Sequence, residues 1–392
     1  MTADAVASPT PLPDREPHRT GAALIMARLI RESCAQLQPR AEEITQFFYA
    51  MLFVIAPATR ELFPVNMQVQ RSRFFRALMH IVQNVDRPDE LVPFLRQLGR
   101  DHRKFGVLAR HYDAMGTALV TTLKQYAGPV WSSQVEQAWR DAYGLIAKTM
   151  QEAAEAAPGP AWWTARVVDH QRLTWDLAVV RVAPDRPVPY RAGQYVSVEI
   201  PQRPRLWRYL SPANAPRPDG SIEFHIRAVS GGSVSRAIVG YSQLGDTWRI
   251  GSPMGRMTVD RSSGRDVVMV AGGTGTAPMR AILEELTRWG DNPEVTMFLG
   301  GRTRADLHDL DTLTTMTVTN PWLTVIPVLE SYPRRAGVEH GTLADVVTRF
   351  GAWPDRDVLV CGSPAMIRAT VSRMLVAGTP LDRITYDPFT LD

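Results

Sequence analysis

Apolar positions between residues 21 and 156 recur every three or four residues, as in Leu24, Met26, Leu29 and Ile30, then Ile44, Phe47, Phe48, Met51 and Leu52. That spacing lines up one apolar stripe on a helix. Pro39, Pro57, Pro64, Pro88 and Pro129 cut the stripe. Proline lacks an N–H and fixes φ, so each marks a helix boundary. The pattern predicts roughly six helices and no strand. It ends at the linker Ala157-Pro158-Gly159-Pro160-Ala161. Short segments rich in Val, Ile and aromatic residues follow: Trp162–Asp169, Asp176–Val182, Tyr195–Ile200 and Ile222–Val229. Turn residues separate them at Pro184-Asp185, Arg191-Ala192-Gly193 and Pro218-Asp219-Gly220. Evenly spaced short strands of this kind predict a small antiparallel barrel, with one helix starting near Gly231-Gly232-Ser233.

From Arg265 the pattern changes again. Unbroken apolar runs at Val267–Ala271, Val295–Leu299, Leu323–Leu329 and Val358–Cys361 suit strands buried on both faces. Helical segments near 277–289, 305–316, 341–350 and 364–377 alternate with them, which predicts a doubly wound parallel sheet. The expected organisation is a disordered N-terminus over 1–20, an all-helical domain over 21–156, a barrel over 162–262 and an α/β domain over 265–392.

Composition narrows the function. The chain has 392 residues, 45% hydrophobic, which suits two or three domains with real cores. Lys and Arg total 44 against 40 for Asp and Glu, and no basic block stands out. Nucleic acid is therefore not an expected partner. The longest apolar run, Tyr49 to Ala56, is too short to span a bilayer, so no stable membrane insertion is expected. Two cysteines far apart, Cys34 and Cys361, fit a reducing cytoplasm rather than a disulfide framework. A cytoplasmic monomer is the expectation.

Three segments carry candidate chemistry. In Arg208-Tyr209-Leu210-Ser211-Pro212-Ala213-Asn214, an arginine beside a short polar residue can grip a phosphate, and an aromatic next to it can lie against a flat ring. The same segment also reads as ordinary strand and turn. Ala271-Gly272-Gly273-Thr274-Gly275-Thr276-Ala277-Pro278 follows a predicted strand and opens a helix, and reads either as a phosphate cradle or as a tight glycine turn with no ligand. Glycines there let the backbone approach a pyrophosphate, whose charge the helix N-terminus stabilises. Pro278 suits a first helical turn. Cys361-Gly362-Ser363-Pro364 also ends a strand and opens a helix, with Cys361 equally suited to a small buried apolar role. Arg302 and Arg304, after the second strand of this part, suit a ribose or its 2′-phosphate, or solvent.

On these motifs, residues 162–392 resemble the ferredoxin–NADP reductase-type flavoenzymes, a flavin barrel followed by a nicotinamide domain. Arg208, Ser211 and Asn214 match the R-x-Y-S/T flavin signature, while Leu210 holds the tyrosine position and Tyr209 stands one place early. Gly231-Gly232-Ser233-Val234-Ser235 resembles the turn that holds the flavin pyrophosphate. Tyr190 and Tyr195 resemble the strand beside the flavin, and Tyr386-Asp387-Pro388-Phe389 the acidic-x-Phe ending whose aromatic covers the ring. Gly301-Arg302-Thr303 is similar to NADH-using reductases of oxygenase systems, so NADH is expected, with NADPH kept open by the two arginines.

The helical part resembles the globin domain of flavohaemoglobins through Phe48-Tyr49, Pro57, Leu62-Phe63, His102 with Phe105, Tyr112, and Ala142-Tyr143-Gly144. With the reductase resemblance this covers nearly the whole chain. It implies haem b with His102 as proximal iron ligand. Tyr49 would donate a hydrogen bond to O₂, Phe63 would pack on the haem, and Gln70 and Phe74 would be distal polar and apolar residues. Tyr49, Phe63 and Phe74 would also satisfy a helix core. Tyr112 matches a catalytic tyrosine beside the proximal histidine, but its glutamate partner falls on Ala154, with Glu152 and Glu155 off register. The implied fold is multi-domain: an all-α globin, an antiparallel β-barrel flavin domain and an α/β doubly wound nicotinamide domain. The implied activity passes electrons from NAD(P)H through FAD to haem and converts NO and O₂ to nitrate. Alternatives are a haem and flavin oxidoreductase with another electron donor or acceptor and weak NO turnover, and a haem gas sensor.

Overall fold

The computed structural model describes residues 21–35, 37–330 and 337–387, the side chains of Ala22 and Ala23 excepted. Residues 1–20, expected to be disordered, lie outside the described residues, as does Phe389. The chain forms two compact units. One comprises residues up to Arg60, Met67–Gly99 and Leu108–Ala156; the other comprises Glu61–Asn66, Arg100–Val107 and Ala157 onward. Among the described residues no helix is long and apolar enough to cross a membrane.

The helical region contains α1 (Gly21–Ala35), α2 (Ala41–Ile55), α3 (Gln68–Asn84), α4 (Pro88–His102), α5 (Ala109–Ala127) and α6 (Ser133–Glu155). Proline sets its boundaries: Pro88 opens α4, while Pro57 and Pro129 fall in short 3₁₀ turns. Ser132 caps α6 by accepting the Val135 N–H at 3.2 Å. Phe48, Leu52, Leu95 and Leu123 are fully buried where the apolar stripes meet. Two glycines decide how closely these helices cross. A Cβ on Gly99 would lie 2.2 Å from the Met150 carbonyl oxygen, and one on Gly116 would lie 2.5 Å from the Tyr143 ring. Only hydrogen fits at either place.

In the second unit, β1 (Trp162–Arg172), β2 (Leu177–Pro184), β3 (Val196–Glu199), β4 (Arg208–Leu210), β5 (Ile222–Arg227) and β6 (Thr247–Gly251) form an antiparallel sheet in the order β4-β3-β6-β1-β2-β5. A bridge from Pro212, just past β4, to Phe224 of β5 joins the two outer edges, so the sheet nearly closes into a barrel. Trp163, Ala165 and Val167 alternate inward along β1 toward Trp248 and Phe224. Helix α7 (Ser233–Tyr241) adds Val234, Ala237 and Ile238 to that core. Strand β6 was not anticipated, and β4 falls in the segment that also read as ordinary strand and turn. Three residues beginning with an arginine carry no alternation that could mark β4.

The remaining elements are β7 (Val267–Gly272), α8 (Thr276–Leu286), β8 (Val295–Gly301), α9 (Leu310–Thr319), β9 (Leu323–Leu329), β10 (Glu339–His340), α10 (Leu343–Phe350), β11 (Asp357–Cys361), α11 (Pro364–Ala377) and β12 (Ile384–Tyr386). Their strands are all parallel, in the order β10-β9-β8-β7-β11-β12. Met269 and Ala271 of β7 enter one core, while Val268 and Val270 enter another with residues of α10 and α11. This two-sided burial is why these strands read as unbroken apolar runs. The helix expected over 305–316 begins later, at Leu310, after a 3₁₀ turn over Arg304–Asp306 whose capping box pairs Thr303 with Asp306.

Barrel and parallel sheet meet across a buried ionic lattice. Arg280 of α8 bonds Glu223 of β5 at 3.0 Å, Asp309 at 3.3 Å and Glu284 at 3.2 Å. His308 and His225 stand 3.1 Å apart, nitrogen to nitrogen, and His225 also reaches Glu223 at 3.3 Å. Burial first, then repulsion from His225, pushes the His308 pKa down from 6.5 to about 4. Burial raises the Glu223 pKa, but the His225 hydrogen bond and the charges of Arg280, His225 and Arg217 outweigh it and hold the carboxyl at about 2.

Both shifts have the same consequence in acid. Between pH 6.5 and 4 the unfolded chain takes up a proton that folded His308 refuses, so stability falls as pH falls. The stabilisation from Glu223 is present above pH 4.5 and is lost as pH drops towards 2. The melting temperature, read by flavin release, is expected to decline from pH 6.5 to 4. His308→Asn should flatten that decline; an unchanged slope would contradict the role given to this histidine.

Candidate cofactor sites

In the first unit, Tyr49 of α2 is 4% exposed. Gln70 of α3 donates from Nε2 to its hydroxyl oxygen at 3.2 Å. Accepting there turns the hydroxyl's own hydrogen away from Gln70. Burial raises the Tyr49 pKa far above neutrality, so the group is a neutral O–H donor. Phe74, one turn on from Gln70, stacks on Phe48 with centroids 4.2 Å apart and meets Tyr49 edge-on at 5.8 Å. The structure therefore brings together Tyr49, Gln70 and Phe74 as one group. Tyr112 of α5 is buried, which raises its pKa, and its carbonyl accepts the Tyr143 hydroxyl at 2.6 Å. Glu152 and Glu155 lie exposed on α6, with Glu152 3.9 Å from Lys148.

His102, the last residue of α4, packs its ring edge-on to Phe105 at 5.9 Å. Both belong with residues 100–107 to the second unit, as does Phe63. An imidazole at a helix end, beside an aromatic ring, is a side chain that fits an axial haem ligand.

At the barrel, strand geometry separates residues that are adjacent in sequence. Arg208 and Leu210 share one face of β4 and Tyr209 takes the other. Leu210 packs on the barrel core. Tyr209 sits edge-on to Tyr195 at 5.2 Å and bonds Asp101, so it does not stand beside Arg208 against a common ring. Ser211 is half-buried. Asn214 is consumed internally: its amide donates to the Tyr190 hydroxyl and to the Ala215 and Ser221 carbonyls, and its oxygen accepts the Glu223 N–H. Tyr190 is buried and returns its hydroxyl to the Asn214 carbonyl at 3.0 Å. The two residues brace the connection from β4 to β5. Gly232 is the N-cap of α7 and has no side chain to cap it, which leaves the first N–H groups, of Ser233, Val234 and Ser235, for an anion. The Ser235 hydroxyl accepts the Val229 N–H at 3.3 Å.

In the parallel sheet the strand order changes direction between β7 and β11. Ligands bind at such a switch point, outside the strand C-termini. Gly272, Gly273, Thr274 and Gly275 leave β7 there, and Thr276 and Pro278 open α8. Cys361 and Gly362 leave β11 opposite them. A Cβ on Gly275 would lie 2.4 Å from the Cys361 carbonyl oxygen. Burial, then the nearby Asp387, pushes the Cys361 thiol up to about 12, so it is a neutral wall rather than a nucleophile. Asp387 is 3% exposed, and burial drives its carboxyl up to about 7. Its Oδ2 has no partner among the described residues, a buried acceptor at the strand ends where a nicotinamide would arrive. Arg302 is exposed on the rim. The glycine cradle and uncapped helix starts fit FAD and a nicotinamide dinucleotide.

Three family models match the chain in sequence order: Globin over residues 46–150, Oxidoreductase FAD-binding domain over 164–259 and Oxidoreductase NAD-binding domain over 269–372. A flavohemoprotein from Bacillus subtilis is 26% identical, covering 92% of this chain and 96% of that protein. The chain belongs to the flavohaemoglobins. A flavohemoglobin structure from Malassezia yamatoensis with bound FAD and heme covers 92% of this chain and 98% of its own, with TM-score 0.78 at 18% identity, which shows the shared fold. The electron transfer component of a xylene/toluene monooxygenase from Pseudomonas putida is 29% identical over 59% of this chain and 66% of its own length. This flavohaemoglobin is thus an oxidoreductase with globin, FAD-binding and NAD-binding domains, for haem, FAD and NAD(P)H.

Asp101, Lys104 and the lattice around Glu223 were not anticipated as functional. Their partners lie far away in sequence, so no local motif could reveal them. At Gly275, replacement by alanine sets a methyl group against backbone on β11. The expected cost is about 1–3 kcal/mol with weaker NADH binding. A Gly290→Ala control, where nothing lies within 4 Å, should leave both unchanged. Thermal melts and NADH titration of flavin reduction check this, and a Gly275→Ala variant as stable as the control would contradict the close-packed cradle.

Proposed function

We propose that this flavohaemoglobin is a nitric oxide dioxygenase, in which NAD(P)H would supply the electron and each nitric oxide would take up one O₂ and one electron to become nitrate, with FAD and haem as the bound groups. The flavin and haem, when bound, supply hydride acceptance, electron storage and oxygen chemistry. The chain's own residues bind and orient. His102 would ligate the iron. The Tyr49–Gln70 pair carries the reading: a buried, neutral O–H, oriented by an amide, is the donor needed where negative charge develops on oxygen. Phe63 and Phe74 would line the haem. Arg208, Ser211 and the α7 N-terminus would hold the flavin, covered by Phe389. The glycines over 272–275 would take the nicotinamide nucleotide's pyrophosphate, with Arg302 at the ribose. The domain structure of the nitric oxide dioxygenase from Vibrio cholerae, 21% identical to this chain, has the same reductase fold at TM-score 0.50. NADH is the proposed donor.

Leu210 and Ala154 favour a second reading. With leucine at the tyrosine position and no carboxylate in register behind the proximal histidine, the chain would pass electrons to or from another partner and turn nitric oxide over poorly. Comparing nitric oxide consumption with plain NADH oxidation separates the two. Under the first reading, Tyr49→Phe lowers nitric oxide turnover about a hundredfold, as expected for loss of one oriented donor, while NADH reduction of flavin keeps its rate. Equal nitric oxide turnover in wild type and Tyr49→Phe would contradict it.

A further inference from the structure

The turn that carries His102 packs with the reductase part of the chain: residues 100–107 belong to the second unit. Lys104 lies in that turn, two residues past His102, and its side chain is only 4% exposed. Its ammonium donates to Asp101 Oδ1 at 2.6 Å. Three rings surround it, with the nitrogen 5.0 Å from the Phe105 centroid, 5.4 Å from Trp207 and 5.1 Å from Tyr209. Tyr209 closes the ring by donating its hydroxyl to Asp101 Oδ2 at 3.3 Å. The lysine stem passes over Gly251 at the end of β6, where a Cβ would stand 3.5 Å from Lys104 Cδ and only 2.2 Å from Ser197 Oγ.

A buried ammonium is costly to desolvate, and such a pair adds little stability compared with an apolar filling. What it supplies is geometry. The carboxylate fixes the nitrogen, and the ring faces attract it from the remaining sides. One end of the cage is the His102 turn, and the other is the strand that begins with Arg208. Strand alternation turns Tyr209 to the face opposite Arg208, where its ring joins the cage.

We propose that Lys104 is a positioning residue for flavin-to-haem electron transfer: its aromatic cage locks the His102 turn onto strand β4. This rests on the electron path proposed above. A neutral side chain of similar length leaves Asp101 without its ammonium partner, held only by the Tyr209 hydroxyl, and the rings without their cation, so the turn and the strand loosen together. Arginine keeps the charge and the ring contacts.

The test uses full-length protein loaded with haem and FAD. Hydrogen exchange is followed at amides 100–107 and 206–211, and stopped-flow absorbance follows NADH reduction of flavin and then of haem. In Lys104→Met, exchange should rise in both segments together and the flavin-to-haem step should slow about tenfold. NADH-to-flavin reduction should be unchanged, and Lys104→Arg should restore most of the loss. Trp207→Leu removes one wall while keeping the ion pair, and should show the same pattern if Lys104→Met does not fold. Unchanged exchange and transfer in Lys104→Met overturn the proposal. So does an equal slowing of the NADH-to-flavin step, which would mean general unfolding. A wild type that reduces its flavin but never its haem defeats the underlying electron path instead, while the exchange comparison still decides whether the cage locks the two segments.

Discussion

The contact between Arg280 and Glu223 holds the reductase together. Arg280 lies one turn into α8, whose start is the nucleotide cradle, and Glu223 lies on β5, which nearly closes the flavin barrel against Pro212. At 3.0 Å, and with both side chains largely out of solvent, the pair ties the start of α8, where a nicotinamide nucleotide would bind, to the barrel strand β5. Hydride transfer demands that two rings meet in near-attack geometry. The lattice is satisfied on several sides, by Asp309, Glu284, Arg217 and His225, and such buried networks favour one arrangement over its alternatives.

The sequence made the layers legible because each has its own period. Helices followed a three-to-four spacing, barrel strands alternated, and the buried parallel strands ran unbroken; β9 and α11 fall where their apolar runs and Pro364 put them. The glycine cradle was legible because the chemistry of a pyrophosphate needs bare backbone at a strand end. What escaped was whatever depends on distant partners or on strand parity. Tyr209 looked like a neighbour of Arg208, but on a strand adjacent residues diverge, and its ring went to Lys104. Asn214 looked like part of a flavin signature, and its side chain is spent on Tyr190 and the backbone around it. Gln70 and Tyr49 stand 21 residues apart on two helices, and the helix geometry sets the Gln70 amide on the Tyr49 hydroxyl.

The same parity rule bears on function. Leu210, at the position that the resemblance gives to a tyrosine, joins the barrel core. A flavin held there would lack that polar aromatic neighbour, while Asp387, whose carboxyl burial drives up to about 7, stands beside the switch point. A chain can keep the electron path with these changes and still differ in how fast each step runs. On the proposed function, the oxygen side would depend on a different pair, Tyr49 and Gln70.

The account rests on electrons entering at the nicotinamide cradle and leaving at the haem. The most direct test is an anaerobic mix of haem- and FAD-loaded protein with NADH, followed by absorbance. Flavin bleaching followed by the ferrous haem spectrum is the predicted result. Haem that stays ferric after the flavin is fully reduced, with NADH and NADPH alike, would contradict it.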